Sequence, residues 1–250
     1  MIDLELILLA LAVYLLAGTV KGIVGIGLPT ASIGILSQFI DPKIAIALVV
    51  FPILFSNPWQ IFRSGRAVES FKTYWLFCVF LMIFLGAMTT VTSHIETGPL
   101  ILILGCVIVV FAATSLIKMP PELPAGFDRW AQSVGGALGG AMGGLTGIWS
   151  PPMVIYLLAR RVDKDEFVRA TGMMIFMGGI PLYLGFWHAG LLDDGVGWLS
   201  LGMVIPSLLG FTAGEFLRRK LDGDRFRTVV LAVFLLMGLN LIRKALLTGV

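Results

Sequence analysis

Lys21 is the residue of this sequence whose charge most needs an explanation. It lies towards one end of an otherwise apolar segment, and no carboxylate lies nearby in sequence to neutralise its ammonium group. A charge in that setting costs about 2.5 to 3.5 kcal/mol on a membrane-insertion scale unless it is paired or faces a cavity. We therefore interpret Lys21 as a fixed positive charge for an anionic ligand. The alternative is that its long side chain reaches an interface with water.

Two breaks rich in glycine and proline offer backbone groups that could complete such a site. Shifting five residues by 122 positions gives five identical residues: Gly18, Gly22, Gly25, Pro29 and Asp41 become Gly140, Gly144, Gly147, Pro151 and Asp163. A helix that starts inside a membrane leaves N–H groups and the positive end of its dipole free to hold an anion. We expect half-helices over Leu28 to Ile40 and Ser150 to Ala159, with their N-terminal ends converging near the membrane midplane.

The candidate substrate site combines both breaks with the polar side chains around them. Some of these side chains are hydrogen-bond donors, although Ser, Thr and Asn also form ordinary contacts between membrane helices. Arg169 is either a second anion ligand or a loop charge, and we favour the loop. The predicted substrate-binding residues are Lys21, Gly25, Gly27, Pro29, Thr30, Asn57, Gly147, Trp149, Ser150 and Pro151.

The composition of the chain is that of an integral membrane protein. Of its 250 residues, 58% are hydrophobic and 13% are charged, and the mean hydropathy is +0.96. A soluble domain is roughly 45 to 50% apolar and about 25% charged. The basic residues lie in short loops, so the net charge of +3 implies no nucleic-acid partner. Cys78 and Cys106 are isolated in apolar runs, and nothing indicates a disulfide, a metal or a cofactor.

Apolar segments of about 20 residues predict the membrane-spanning helices. Two longer segments, Leu4 to Ile40 and Trp130 to Ala159, are broken in the middle. Each is either a re-entrant hairpin or a pair of short crossings, and both return the chain to the side on which it started. The predicted full-length spans are Ile44 to Phe62, Tyr74 to Thr92, Pro99 to Ile117, Ala170 to Trp187, Gly197 to Phe216 and Phe226 to Leu246.

Loop charges predict the orientation, because cytoplasmic loops carry an excess of Lys and Arg. The basic loops follow the first full span, follow the second broken segment and precede the last span. This arrangement places both termini outside and makes the halves antiparallel, although Arg243 and Lys244 run against the bias. We therefore predict an all-α polytopic membrane protein with two inverted-topology repeats, each a broken or re-entrant helical hairpin followed by three transmembrane helices. The repeats are residues 1–117 and 130–250, joined by a cytoplasmic linker at 118–129.

Two glycine-rich runs resemble the motifs of the sulfite exporter TauE/SafE family, also called the toluene-sulfonate uptake permease family. They are Val20-Lys-Gly-Ile-Val-Gly-Ile-Gly-Leu-Pro29 and Gly139-Gly-Ala-Met-Gly-Gly-Leu-Thr-Gly147, and the resemblance covers essentially the whole chain. It implies a transporter of small sulfur-containing or organic anions, such as sulfite, sulfoacetate or other sulfonates, in the bacterial inner membrane. Leu28, Trp149 and Ser150 replace glycines that are usual in this family. The motifs lack cysteines, which argues against thiosulfate.

The resulting functional hypothesis is an exporter that binds a small anion at the midplane between the broken hairpins. No strong carboxylate candidate lies within the spans, so we expect export without proton coupling. A passive anion channel and an uptake permease are the alternatives. An intramembrane serine protease using Ser150 and His188, and a purely structural scaffold, are less favoured readings. The expected partners are the small anionic substrate and the lipid bilayer, with a homodimer as a further hypothesis.

Overall fold

The chain is built from helices packed side by side. The computed structural model describes residues 4–64, 67–92, 94–116, 120–124, 126–193, 195–218 and 223–247, and these residues contain no strand. The first half contains α1 (Leu4–Val24), α2 (Leu28–Leu36), α3 (Pro42–Ser64), α4 (Ala67–Thr92) and α5 (Thr97–Leu116). The second half contains α6 (Asp128–Thr146), α7 (Ser150–Ala159), α8 (Lys164–His188), α9 (Val196–Gly202), α10 (Val204–Arg218) and α11 (Gly223–Leu247).

Seven spans among the described residues are long and apolar enough to cross a membrane. Six of them correspond to the six predicted full-length spans, with ends that differ by a few residues. The seventh is α1, which is long enough to cross by itself. The first break therefore lies after a full-length helix rather than between two equal arms. The short helix that follows, α2, ends at Leu36, four residues before the predicted end at Ile40.

Glycines allow two pairs of helices from different halves to pack with their backbones in contact. In α1, a Cβ atom added at Gly22 would lie 2.8 Å from the Cα of Gly214 in α10. In α6, a Cβ atom added at Gly140 would lie 2.8 Å from the backbone nitrogen of Leu85 in α4. Lipid provides no hydrophobic driving force between membrane helices. Small residues stabilise the association of such helices because they permit close packing. The long arm of each broken segment thus packs against a helix of the other half, α1 on α10 and α6 on α4.

Prolines interrupt the backbone hydrogen bonding of two membrane spans. Pro52 cannot donate to the carbonyl of Leu48, and the hydroxyl of Ser200 donates to that carbonyl instead, at 2.8 Å. Pro206 likewise cannot donate to Gly202, where α9 ends. The predicted span from Gly197 to Phe216 is therefore divided into two consecutive helices.

The basic residues near the end of α11 have a structural role that the charge bias of the loops does not reveal. Lys244 Nζ donates to the backbone carbonyl oxygens of Gln38, at 3.1 Å, and Ser37, at 3.4 Å. These carbonyls follow the C-terminus of α2, where a positive charge stabilises the helix. Parts of the predicted basic loops and of the linker lie outside the described residues, namely 65 and 66 after α3, 118, 119 and 125 in the linker, and 219–222 before α11.

Candidate functional site

Lys21 is buried and has only neutral partners among the described residues. Its side chain is 1% exposed. The ammonium nitrogen donates to Ser56 Oγ at 2.9 Å and to Asn57 Oδ1 at 2.7 Å, and it lies 5.6 Å from the centre of the Phe211 ring. An ammonium group has three donors, so one of them remains for a ligand. The alternative that Lys21 extends to a water interface does not fit this burial.

The two acceptors of Lys21 come from the C-terminal half of α3. Asn57 Nδ2 donates to the carbonyl of Ile53 at 2.7 Å, which turns the amide oxygen of Asn57 towards Lys21. Asn57 lies six residues before Arg63, the end of the span, or about 9 Å along the helix axis. The sequence predicted Asn57 as a hydrogen-bond donor to the substrate, not as an acceptor from Lys21, and it missed Ser56 and Phe211. A second polar residue beside Asn57 in an apolar helix was the available signal for Ser56.

The first break lies between α1 and α2 and is linked to α8 of the other half through Gln60 of α3. Gly25 and Gly27 have φ angles of 88° and 106°, which residues with a side chain rarely adopt. Gln60 Nε2 donates to the carbonyls of Val168, at 2.7 Å, and Gly25, at 3.5 Å. Pro29 lies in the first turn of α2, where no N–H is needed. The hydroxyl of Thr30 is buried without a hydrogen-bond partner in the described part of the chain.

The second break, between α6 and α7, carries a large side chain where the first has a glycine. Gly147 has a φ of 70°, and a Cβ atom there would lie 2.7 Å from Ile33 of α2. Trp149 is 1% exposed, and its indole nitrogen has no hydrogen-bond partner among the described residues. Ser150 and Pro151 form the buried first turn of α7.

These contacts bring some of the predicted site residues together and leave others in a second group. Lys21 and Asn57 are directly bonded, whereas no hydrogen bond between described residues joins Lys21 to Thr30, Trp149 or Ser150. The starts of α2 and α7 both lack a side-chain cap. In the first turn α2 offers the N–H groups of Leu28 and Thr30, whereas α7 offers only that of Ser150, because Pro151 and Pro152 carry none.

Two other polar residues have settings that lessen their suitability for anion binding or catalysis. Arg169 donates to one carboxylate oxygen of Glu166 at 2.6 Å and 3.2 Å, so its charge is balanced within α8. His188 is exposed at the end of α8, whereas Ser150 is buried at the start of α7, and no hydrogen bond joins these two described residues. A base and a nucleophile need to be within hydrogen-bond reach.

The family model described as "Sulfite exporter TauE/SafE" matches residues 10–241, which is nearly the whole chain. A search of curated proteins gave no match. A search of solved structures also gave none.

Proposed function

Because the chain belongs to the TauE/SafE sulfite exporter family, we propose that it is a membrane transporter that exports a small sulfur-containing or organic anion, such as sulfite or a sulfonate. The substrate binds at Lys21, beside the two uncapped helix starts. The protein acts as a carrier in this proposal and not as an enzyme. It resides in the bacterial inner membrane.

The observation that carries this proposal is the uncompensated charge of Lys21. Removing an ammonium group from water costs several kcal/mol unless good partners replace the water. Two neutral oxygens and one aromatic ring replace only part of that hydration, and no carboxylate is among the described partners of Lys21. An anion within reach of the third donor would supply the missing charge. The Thr30 hydroxyl and the Trp149 indole nitrogen also lack partners among the described residues, but neither is hydrogen-bonded to Lys21, so the proposal does not depend on them.

The two halves differ at equivalent positions, and this difference supports a single anion site. Shifting Lys21, Ser56 and Asn57 by 122 positions gives Gly143, Gly178 and Gly179. The indole ring of Trp149 fills the space beside two of these glycines, because an added Cβ would lie 2.8 Å from the ring at Gly143 and 2.9 Å at Gly178. The equivalent of Trp149 in the first half is Gly27. The polar cluster of Lys21, Ser56 and Asn57 therefore belongs to the first half alone. In the second half the indole ring occupies the equivalent space.

The reciprocal packing of the helices supports the inverted repeat. α1 packs on α10 and α6 packs on α4, as expected if a two-fold axis exchanged the halves. In α5 and α11, a Cβ atom added at Gly105 or Gly238 would lie 2.9 Å from the carbonyl oxygen of the other glycine. Transporters with inverted repeats and transporters with parallel repeats both show such an exchange, and the loop charges favour the inverted arrangement here. In this proposal residues 1–117 and 130–250 are the antiparallel repeats, the linker 118–129 is cytoplasmic, and both termini are extracytoplasmic.

Flux through proteoliposomes tests the proposed function. We expect protein-dependent efflux of radiolabelled sulfite or sulfoacetate that saturates and is stimulated by unlabelled anion on the opposite side, as a carrier requires. Lys21→Met should reduce this flux at least about tenfold, since a charged hydrogen bond contributes about 1.5 to 3 kcal/mol. Lys72→Met changes an exposed lysine and is the matched control. Wild-type flux in Lys21→Met would refute the role of Lys21, and flux without counter-stimulation would indicate the channel.

A further inference from the structure

A cavity of about 370 Å³ lies between α1, α5, α7, α8, α10 and α11. Two of its lining residues, Ile26 and Gly27, belong to the first helix break. The cavity therefore reaches the break on which the proposed function depends. Lys21 itself is directed to α3 and α10 and is not among the lining residues. The cavity is thus a separate space with its own chemistry.

The wall of this cavity has an apolar part and a basic part. Most of the lining side chains are aliphatic or aromatic, including Phe111 and Phe234. Three basic residues, Lys164, Arg218 and Arg227, also line it, and none of the described lining residues is acidic. The cavity therefore combines positive charge with a large apolar surface.

The hydroxyl group of Ser115, where the apolar and basic parts meet, lacks a hydrogen-bond partner among the described residues. Arg227 donates to the backbone carbonyl of Ser115 at 2.9 Å, which fixes the guanidinium group against the wall. The hydroxyl of Ser115 is buried, with 7% of the residue exposed, and it has no hydrogen-bond partner among the described residues. Arg227 has further donors, because a guanidinium group carries five N–H bonds. An anionic group placed here would accept hydrogen bonds from both side chains.

A bare oxyanion such as sulfite would use only the basic part of this wall. The apolar part stabilises a ligand only if the ligand has apolar surface to bury. The volume is also within the range of pockets that enclose small organic ligands. We propose that the cavity binds a short-chain amphiphilic organic monoanion, with its head group at Arg227 and Ser115 and its apolar tail against Phe111 and Phe234. This inference rests on the proposed function, since it makes the cavity the vestibule through which such anions approach the break.

Calorimetric titration of the purified full-length chain with methane-, butane- and hexanesulfonate tests the tail requirement. We expect affinity to rise about fourfold for each methylene group that is buried. Butanoate and hexanoate should follow the same trend, because the head group only has to be anionic. Hexan-1-ol, which has the tail without the charge, should bind much more weakly. Equal affinities for methane- and hexanesulfonate, or tight binding of hexan-1-ol, would overturn the inference.

Paired variants on α11 locate the binding. Leu231 lines the cavity, whereas Leu239 is exposed on the same helix. Leu231→Trp should remove the dependence on chain length, and Leu239→Trp should retain it. Arg227→Gln should weaken all the sulfonates at least about tenfold, as expected for a charged hydrogen bond, while Arg243→Gln at the other end of the helix should not. The same effect from both members of either pair would contradict the assignment.

Lys21→Met separates this inference from the proposed function. We expect it to reduce flux at least about tenfold while the dependence of binding on chain length persists. Normal flux in this variant would refute the role of Lys21 and leave the vestibule standing. If Lys21→Met loses flux but the wild-type protein binds all the sulfonates with an affinity independent of chain length, only the vestibule is refuted. If a phospholipid co-purifies with the protein and its removal reveals no binding that depends on chain length, the cavity is a lipid site. That result would also overturn the inference.

Discussion

At the scale of residues, the site depends on one lysine whose partners hold it in place without neutralising it. A charged side chain in a membrane span costs several kcal/mol, and such residues persist where they pair or line a path for ions. Ser56 and Asn57 orient the ammonium group of Lys21 but leave its net charge unchanged. The ring of Phe211 contributes a weaker attraction to the same group. This combination favours an anion as the fourth partner.

Asn57→Leu tests the coupling between Lys21 and α3. It removes the acceptor at 2.7 Å and leaves a buried donor unsatisfied, which should lower the free energy of unfolding by about 1.5 to 3 kcal/mol. Lys21→Met combined with Asn57→Leu should recover most of that loss, because two apolar groups then face each other. Unfolding in detergent of both single variants and the double variant measures this coupling energy. Additive effects of the two substitutions would show that the bond contributes nothing.

Sequence predicted the residues at this scale one at a time and not as pairs. Lys21 and Asn57 are conspicuous because each is polar within an apolar run. Phe211 carries no such signal, since an aromatic residue is ordinary in a membrane helix and its partner is nearly two hundred residues away. The sequence also did not predict that the indole ring of Trp149 occupies the space in the second half that is equivalent to the position of Lys21. It depends on where the indole of Trp149 points, and the spacing of glycines does not determine that.

At the scale of elements, glycines determine which helices approach each other and where the short helices begin. Gly136, Gly140 and Gly144 of α6 lie directly against the backbone of α4, and the glycines Gly18 and Gly22 of α1 lie against α10. Close packing of this kind fixes the long arms of both broken segments. The breaks at Gly25 to Gly27 and at Gly147 can then position two helix starts.

Gly140→Ala tests the close packing of α6 on α4. The added methyl group would lie 2.8 Å from the backbone nitrogen of Leu85, and such overpacking typically costs about 1 to 3 kcal/mol. Gly202→Ala is the matched control, because a Cβ there would have no neighbour within 4 Å. It should be neutral or slightly stabilising, since alanine favours helix more than glycine does. Comparable melting temperatures for the two variants would argue against tight packing at Gly140.

The helices were largely predictable, whereas several of their ends were not. Continuous apolar runs predicted six of the seven full-length spans among the described residues, and the glycine and proline pairs predicted both breaks. The length of α1 was misjudged because the whole segment to Ile40 was treated as one divided unit. The division before α10 follows from Pro206, a signal present in the sequence but outweighed by the hydropathy of the surrounding span.

At the scale of the whole molecule, charge governs both orientation and energetics. The proposed orientation places the basic loops in the cytoplasm. Moving one negative charge out of a cell with a negative interior releases about 2.3 kcal/mol per 100 mV. Export of an anion could therefore proceed downhill without a coupling ion.

Anion distribution in proteoliposomes at a set potential tests this energetic account. A monovalent substrate should reach a gradient of about 50-fold at 100 mV, the ratio that corresponds to about 2.3 kcal/mol. The gradient should be the same with and without a pH difference, because no proton takes part. A distribution that ignores voltage and follows the pH difference would require a proton-coupled mechanism instead.

The most direct test of the central claim is an anomalous-diffraction experiment on crystals of the protein soaked with selenite, the heavier analogue of sulfite. We expect a selenium peak close enough to Lys21 to place a selenite oxygen within about 4 Å of Lys21 Nζ, the distance of an ion pair. Lys21→Met should show no such peak. A peak confined to the cavity at Arg227, or one near Lys21 that persists in Lys21→Met, would contradict it.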